Sequence, residues 1–443
     1  MTAETIESGA EWLRITPEKD IPTEAAIPAL RLGREGNPVG GGQSRSQWAG
    51  LSEVVQVPRG SGGRGRMDWE ALRRSEFPVT ERWAYFDHAA VAPLPRRSGD
   101  ALRAWTDEQE RNGVVNWLDW ERKLEATRGR IARLLNAEAD EIAFVGSTTQ
   151  GIGLVAEGFP WCVGDSVVTA AEEYPSNIYP WMNLASRGVG LRTVSSREGR
   201  VWVEDLAAAI DHTTRILTIS HVEFASGFRN DLDALAGLCR ERGVALFVDA
   251  IQGLGPLTID VKRTPIDFLA ADGHKWLLGP EGAGLLFVRR EWIERLRPLG
   301  VGWHSVVTPY TAPGIDFTLK PSAQRWEGGT FNMPGLQAFG ASLELLMELG
   351  PEAVSSRILD RAERVRESAR AAGWRVYGSG RPADLSGIVA LERPGTDPDR
   401  FARELRGRGI ALASRRGRIR VSPHVYNDDD DLGRLAEALR AGP

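Results

Sequence analysis

The chain has 443 residues, 42 % of them apolar, enough to bury a large core and more than one domain usually holds, so two domains are expected. Its formal charge is only -5, with acidic and basic residues interspersed, which argues against a nucleic-acid-binding or lipid-binding surface. Two cysteines, Cys162 and Cys239, make no disulfide framework, no apolar run reaches membrane-spanning length, and the N-terminus does not read as a signal peptide; a soluble cytoplasmic enzyme is expected.

In chain order, residues 1–66 read as a poorly structured extension. Gly36 to Gly42 is glycine-rich, Arg59 to Arg66 is rich in glycine and arginine, and Met67 directly after it is a candidate start. Residues 67–110 read as an N-terminal segment that contributes to the active site and the smaller domain, with Ala84 to Phe86 entering the site and a helix near 94–111. A second helix near 120–135 lies within a large domain spanning 111–330. There, strands at 142–145, 166–170, 190–194, 215–220, 244–248, 267–270 and 284–288 alternate with helices at 149–158, 176–187, 204–210 and 231–242. Such alternation implies a mainly parallel seven-stranded sheet sandwiched by helices, with ligands gathered outside the strand C-termini. Helices at 336–349 and 352–371 then lead through a smaller α+β domain (331–443) with strands at 387–391, 411–413 and 418–421 and a closing helix at 432–439.

Four segments carry chemistry. Ile142 to Val155 is a strand, then Gly146 with Ser147, Thr148 and Thr149, then a helix; its free N–H groups and hydroxyls suit an anion such as phosphate, and equally an ordinary helix cap. Val244 to Gln252 is a buried strand ending in Asp249, which reads as a ring-nitrogen partner, a helix cap or a ligand. Lys275, in the glycine-rich run Asp272 to Gly282, is one of five lysines in a chain that otherwise carries its positive charge as arginine. Only an unprotonated primary amine condenses with an aldehyde, so Lys275 reads as a Schiff-base lysine, against the plain alternative of a solvated cation. Together Asp249 and Lys275 suit the two ends of a pyridoxal phosphate clamp. Arg420, in the strand-like run Ile419 to Asn427, reads as a carboxylate receptor or an exposed edge residue.

With these residues the chain resembles the class V aminotransferase family of fold type I pyridoxal phosphate enzymes, which includes cysteine desulfurases, selenocysteine lyases, kynureninases and isopenicillin N epimerase-like proteins. The resemblance runs from about residue 80 to 440. It is carried in order by Tyr85-Phe86-Asp87-His88-Ala89-Ala90, Gly146-Ser147-Thr148-Thr149, Glu173-Tyr174-Pro175-Ser176-Asn177, His221-Val222, Asp249-Ala250-Ile251-Gln252, Gly273-His274-Lys275, Glu327-Gly328-Gly329-Thr330 and Arg420-Val421-Ser422.

The resemblance implies pyridoxal 5'-phosphate as cofactor, an amino acid substrate reacting through an external aldimine, and no metal. It assigns the aldehyde to Lys275, the pyridine nitrogen to Asp249 and the phenolic oxygen to Gln252. Tyr174 stacks on the ring, unless it is simply a core aromatic. The phosphate falls to Ser147, Thr148 and Thr149 with His274 and Ser220, and the substrate carboxylate to Arg420. Thr330 reaches the phosphate of a neighbouring subunit, which implies a homodimer with shared active sites.

The chain also departs from the desulfurases. Asp272 stands where they have a serine, and because a carboxylate repels phosphate it is expected to point elsewhere. Tyr174 and Pro175 replace a histidine, and Phe224 replaces an asparagine. Gly409 to Arg420 lacks the mobile cysteine that takes up sulfur, and Cys239 reads as a small core residue. Amino transfer is therefore the first expectation. Carbon–sulfur or carbon–selenium elimination without a protein persulfide comes second, epimerisation third, and a cofactor-free structural homologue last. Arg415, Arg416 and Arg418 read equally as selectors of an acidic side chain and as solvated loop charges.

Overall fold

The computed structural model describes residues 67–308 and 314–442, so the extension expected over 1–66 lies outside the described residues. After a short helix, Trp69–Glu76, strand β1 (Ala84–Tyr85) is followed by helices Arg96–Asn112 and Trp117–Leu135. The large sheet comprises β2 (Ile142–Val145), β3 (Ser166–Ala170), β4 (Gly190–Val194), β5 (Thr214–Ser220), β6 (Ala245–Asp249), β7 (Phe268–Asp272) and β8 (Gly284–Val288). Their spatial order is β2-β8-β7-β6-β5-β3-β4; β8 runs antiparallel to both neighbours and the other pairings are parallel.

Period-two alternation explains how both faces are covered. On one face, Leu246, Val248, Leu269 and Leu285 pack with helices Trp117–Leu135, Leu232–Arg242 and Met333–Leu349. On the other, Phe247, Phe268, Ala270 and Leu286 pack with helix Thr148–Gly158 and with Trp181, Leu184 and Trp292. Every residue of β2, β3, β6, β7 and β8 is consequently buried, as their largely apolar sequences suggest.

The smaller C-terminal α+β domain holds β9 (Arg375–Val376), β10 (Val389–Glu392), β11 (Ile410–Ala411), β12 (Ala413–Arg415) and β13 (Arg418–Val421). β12-β13-β10-β9 form an antiparallel sheet, while β11 pairs in parallel with β1, which brings the segment after Tyr85 alongside Arg420. Helices Pro351–Ala371, Pro398–Gly407 and Asp429–Ala441 cover it through Val365, Phe401 and Leu435. Among the described residues no helix is long and apolar enough to cross a membrane.

Two local expectations change. The helix expected over 176–187 is broken into a 3-10 turn (Pro175–Asn177), one α-turn (Tyr179–Met182) and a second 3-10 turn (Asn183–Arg187). Pro175 and Pro180 remove amide donors and restrict the residues before them. The strand expected at 411–413 divides at Leu412 into β11 and β12, which belong to different sheets.

Edge strand β2 is closed by a buried ion pair. Arg128 Nη1 lies 2.5 Å from Glu327 Oε1, with both side chains 1 % exposed. Arg128 also donates to the Ile142 carbonyl at 2.8 Å, and Glu327 accepts from the Phe144 N–H at 2.9 Å. Removing one partner strands a buried charge, so Glu327→Ala should lower the unfolding free energy by about 3–5 kcal/mol. Urea unfolding monitored by circular dichroism checks this; a loss below about 1 kcal/mol contradicts the role given to the pair.

Candidate active site

The C-terminal ends of the parallel strands converge on a cavity of about 400 Å³ whose wall includes Ser147, Thr148, Thr149, Tyr174, Asp249, Gln252, His274, Lys275 and Arg420. Nine of the eleven residues expected at the site are thus brought together; Ser220 and Thr330 are not among them. Thr330 is exposed and does not line this cavity.

At one end lies the N-terminus of helix Thr148–Gly158. Ser147 caps it by accepting from the Gln150 N–H at 3.1 Å, while the first-turn N–H groups of Thr148 and Thr149 have no carbonyl one turn behind them. Thr148 Oγ1 accepts from the Asp272 N–H at 3.0 Å, tying this helix to the end of β7. Thr149 Oγ1 donates to Ser176 Oγ at 2.7 Å, which adds Ser176 to the wall. Asp272 also lines the cavity, its Oδ2 3.1 Å from His274 Nδ1. Ser220 is otherwise engaged, donating its hydroxyl and its N–H to buried Glu173.

Asp249 ends β6 between Ser220 and Ala270 and is almost wholly buried. Burial raises its pKa to about 6, opposed by the Ile251 N–H, 3.0 Å from Oδ1, and by the charge of Lys275. The His221 ring, also buried, is held neutral by desolvation, its pKa lowered to about 3. Gly253 makes room for that ring; a Cβ there would lie 2.3 Å from His221 Nδ1.

Lys275 follows a tight turn at Gly273, where a Cβ would come within 2.7 Å of the Ala283 carbonyl oxygen. Burial lowers its pKa to about 8, against the attraction of Asp249 and with the help of Arg420. The next residue anchors the turn: Trp276 Nε1 donates to Gln252 Oε1 at 2.8 Å, and Gln252 Nε2 donates to the Ala89 carbonyl at 2.9 Å. Gln252 keeps a second amide hydrogen for the cavity. Tyr174 presents its ring 5.7 Å from Lys275 Nζ and meets Phe224 edge-on at 5.2 Å.

Arg420, on β13, is 2 % exposed. It donates to the Phe224 carbonyl at 3.0 Å and lies 3.3 Å from Asp87 Oδ1, while its Nε has no partner among the described residues. Burial lowers its pKa to about 10, which leaves it charged at neutral pH.

These groups fit the expected cofactor. An anion cup, a buried carboxylate, a partly neutral amine and an aromatic face answer to a phosphate, a basic ring nitrogen, an aldehyde and a flat ring. The sequence reading missed Ser176, Ile251 and Ala89 to Val91 as wall residues, because they reach the cavity only through tertiary packing. Ser176 carried one usable signal, a hydroxyl next to the expected aromatic.

The pattern of the Aminotransferase class-V family matches residues 84–435. A probable cysteine desulfurase from Methanothermobacter thermautotrophicus is 30 % identical over 399 residues, which cover 84 % of this chain and 98 % of the relative. The structure of an apo cysteine desulfurase from Thermococcus onnurineus NA1 superposes with a TM-score of 0.76 at 25 % identity, covering 84 % of this chain and 97 % of that one. A cystine C–S lyase in complex with its product, cysteine persulfide, shares the fold with a TM-score of 0.78 at 24 % identity, covering 83 % of this chain and all of that one.

A lowered lysine pKa means the proton leaves earlier as pH rises. Cofactor-stripped protein should therefore capture an added aldehyde at a rate that climbs through a midpoint near pH 8. Stopped-flow absorbance against pH measures this, and a midpoint near the ordinary 10.5 contradicts the burial argument.

Proposed function

Because the chain belongs to the class V aminotransferase family, we propose that it is a lyase that cleaves the carbon–sulfur or carbon–selenium bond of a cysteine-like or selenocysteine-like amino acid without parking the sulfur on a protein thiol. It is a pyridoxal phosphate-dependent enzyme acting on a small molecule. The observation that carries the finer reading is the join between β12 and β13. There the chain turns through Arg416 and Gly417 directly into the arginine strand, with no cysteine on either arm. Cys162 lies before the start of β3 and Cys239 on the helix leading into β6, both at the opposite end of the sheet from the cavity. Burial also pushes the Cys239 thiol up to about 12. The curated relative named a probable cysteine desulfurase favours sulfur chemistry over amino transfer, the first expectation from sequence.

The cofactor, when bound, supplies an electron sink for the pair left on the substrate Cα. Ser147, Thr148, Thr149, Ser176 and His274 would hold its phosphate; Asp249 would keep a proton on the ring nitrogen; Gln252 would donate to the phenolic oxygen; Tyr174 would cover the ring. Lys275 would hold the aldehyde carbon, and its Nζ would serve as the base that takes the proton from the substrate Cα. Arg420 grips the α-carboxylate through its fork, sharing its charge with Asp87. Thr330, exposed beyond Glu327, serves the phosphate of a second protomer in a homodimer.

Cysteine-type substrates should yield pyruvate, ammonia and free thiol or selenide in equal amounts, while the cofactor stays in its aldehyde form. Product analysis by mass spectrometry with absorbance monitoring tests this; a keto acid that retains the sulfur, formed with conversion of the cofactor to its amine, would establish amino transfer instead. Lys275→Ala should abolish turnover, and Asp249→Asn should reduce it by about 10²-fold or more, the scale of losing a preorganised electrostatic partner. A doubly substituted Cys162→Ser, Cys239→Ala protein should keep its turnover; loss of activity in a folded, cofactor-loaded double variant would overturn the thiol-free route.

A further inference from the structure

The hairpin that delivers Arg420 delivers a second cation to the same cavity. In its register Ala413 faces Arg420 and Arg415 faces Arg418, so residues 413, 415, 418 and 420 share one side of the two strands. Arg415 and Arg420 are diagonal neighbours, a relation that places two positions about 7–8 Å apart. Arg416 and Gly417 both adopt left-handed conformations (φ 49° and 74°), the two-residue turn that locks such a register. Arg415 and Arg420 both line the cavity.

The three arginines on this side of the hairpin are not equally engaged. Arg418 stacks 3.4 Å from the Tyr377 ring centroid and bonds Glu392 at 3.0 Å, outside this cavity. Arg420 has Asp87 at 3.3 Å. Arg415 donates to the neighbouring Ser414 carbonyl at 2.7 Å and makes no ion pair among the described residues. Asp87 feels the charge of Arg415 but bonds Arg420, and among the described residues neither acid of the cavity wall, Asp249 or Asp272, forms an ion pair with Arg415. Arg415 instead repels both Lys275 and Arg420, lowering the proton affinity of each. An unpaired, half-buried guanidinium beside two other cations is an arrangement that a bound anion would relieve.

We propose that Arg415 is a second anion receptor, and that the substrate is a cysteine S-conjugate whose sulfur substituent ends in a carboxylate or sulfonate. Arg420 holds the α-carboxylate at one end, and Arg415 holds the terminal anion at the other. The sulfur part of this assignment rests on the lyase reading, whereas the dianionic part rests on the hairpin alone.

The test compares S-(2-carboxyethyl)-L-cysteine with the near-isosteric S-propyl-L-cysteine on the holoenzyme. The native protein should prefer the anionic conjugate by about 10- to 100-fold in kcat/KM, the scale of one hydrogen-bonded charged contact. Arg415→Gln should bring that ratio close to one, chiefly through KM, and Arg415→Lys should restore part of it; cofactor absorbance and circular dichroism verify that each variant is loaded and folded. No preference in the native protein, or an equal fall for both conjugates in Arg415→Gln, overturns the proposal, the latter because it would place Arg415 on the shared α-carboxylate. If neither conjugate releases a thiol, calorimetric titration of the same pair into native and Arg415→Gln protein separates the two claims. An anionic preference that Arg415→Gln removes upholds the receptor and rejects elimination; its absence rejects both.

Discussion

Withdrawal of the Lys275 amine from water is the constraint on which the rest of the site depends. Lowering its pKa from 10.5 to about 8 corresponds to roughly 3 kcal/mol in favour of the neutral amine, the form that reacts with an aldehyde. The same burial pushes Asp249 up, while the opposite charges of the two groups partly offset both shifts. A solvated lysine on an open loop would have the right atoms and the wrong protonation state.

That desolvation is built by two domains. The sheet brings Asp249 and the turn bearing Lys275 to adjacent strand ends, since β6 and β7 are neighbours in register. The smaller domain closes the other side, its parallel pairing of β1 with β11 carrying Asp87 to Arg420 and Ala89 to the Gln252 amide. The Ala92 N–H completes the closure by donating to the His274 carbonyl at 2.7 Å. Arg420 already has an internal carboxylate partner, so a substrate carboxylate shares an occupied receptor rather than filling an empty one. That arrangement keeps the guanidinium oriented before substrate arrives.

Much of this was legible from local pattern. Asp249 and Lys275 stand at a strand end and in a glycine-rich turn, features set by apolar runs and turn chemistry, and β2, β3, β6, β7 and β8 follow from continuous buried segments. The reversal of β8 was not legible, because a buried run has no polarity that reveals its direction. Proline interrupted the apolar periodicity after Asn177, and β11 and β12 read as one strand because their separation lies in their partners. At the site, the contact between Asp272 and the His274 ring was not legible, because only the folded turn brings the two together. Arg415 could not be told from Arg416 and Arg418 until the register put it beside Arg420 and the ion pairs of its neighbours were counted.

The central claim is that one buried lysine among five holds the cofactor. Borohydride reduction of the native enzyme, followed by peptide mass mapping, tests it most directly, because reduction fixes the bond to whichever amine carries it. The account predicts a single pyridoxyl-modified peptide containing Lys275, with Lys19, Lys123, Lys262 and Lys320 unmodified. Modification of another lysine in the active enzyme, or no modified peptide from fully active protein, would contradict it.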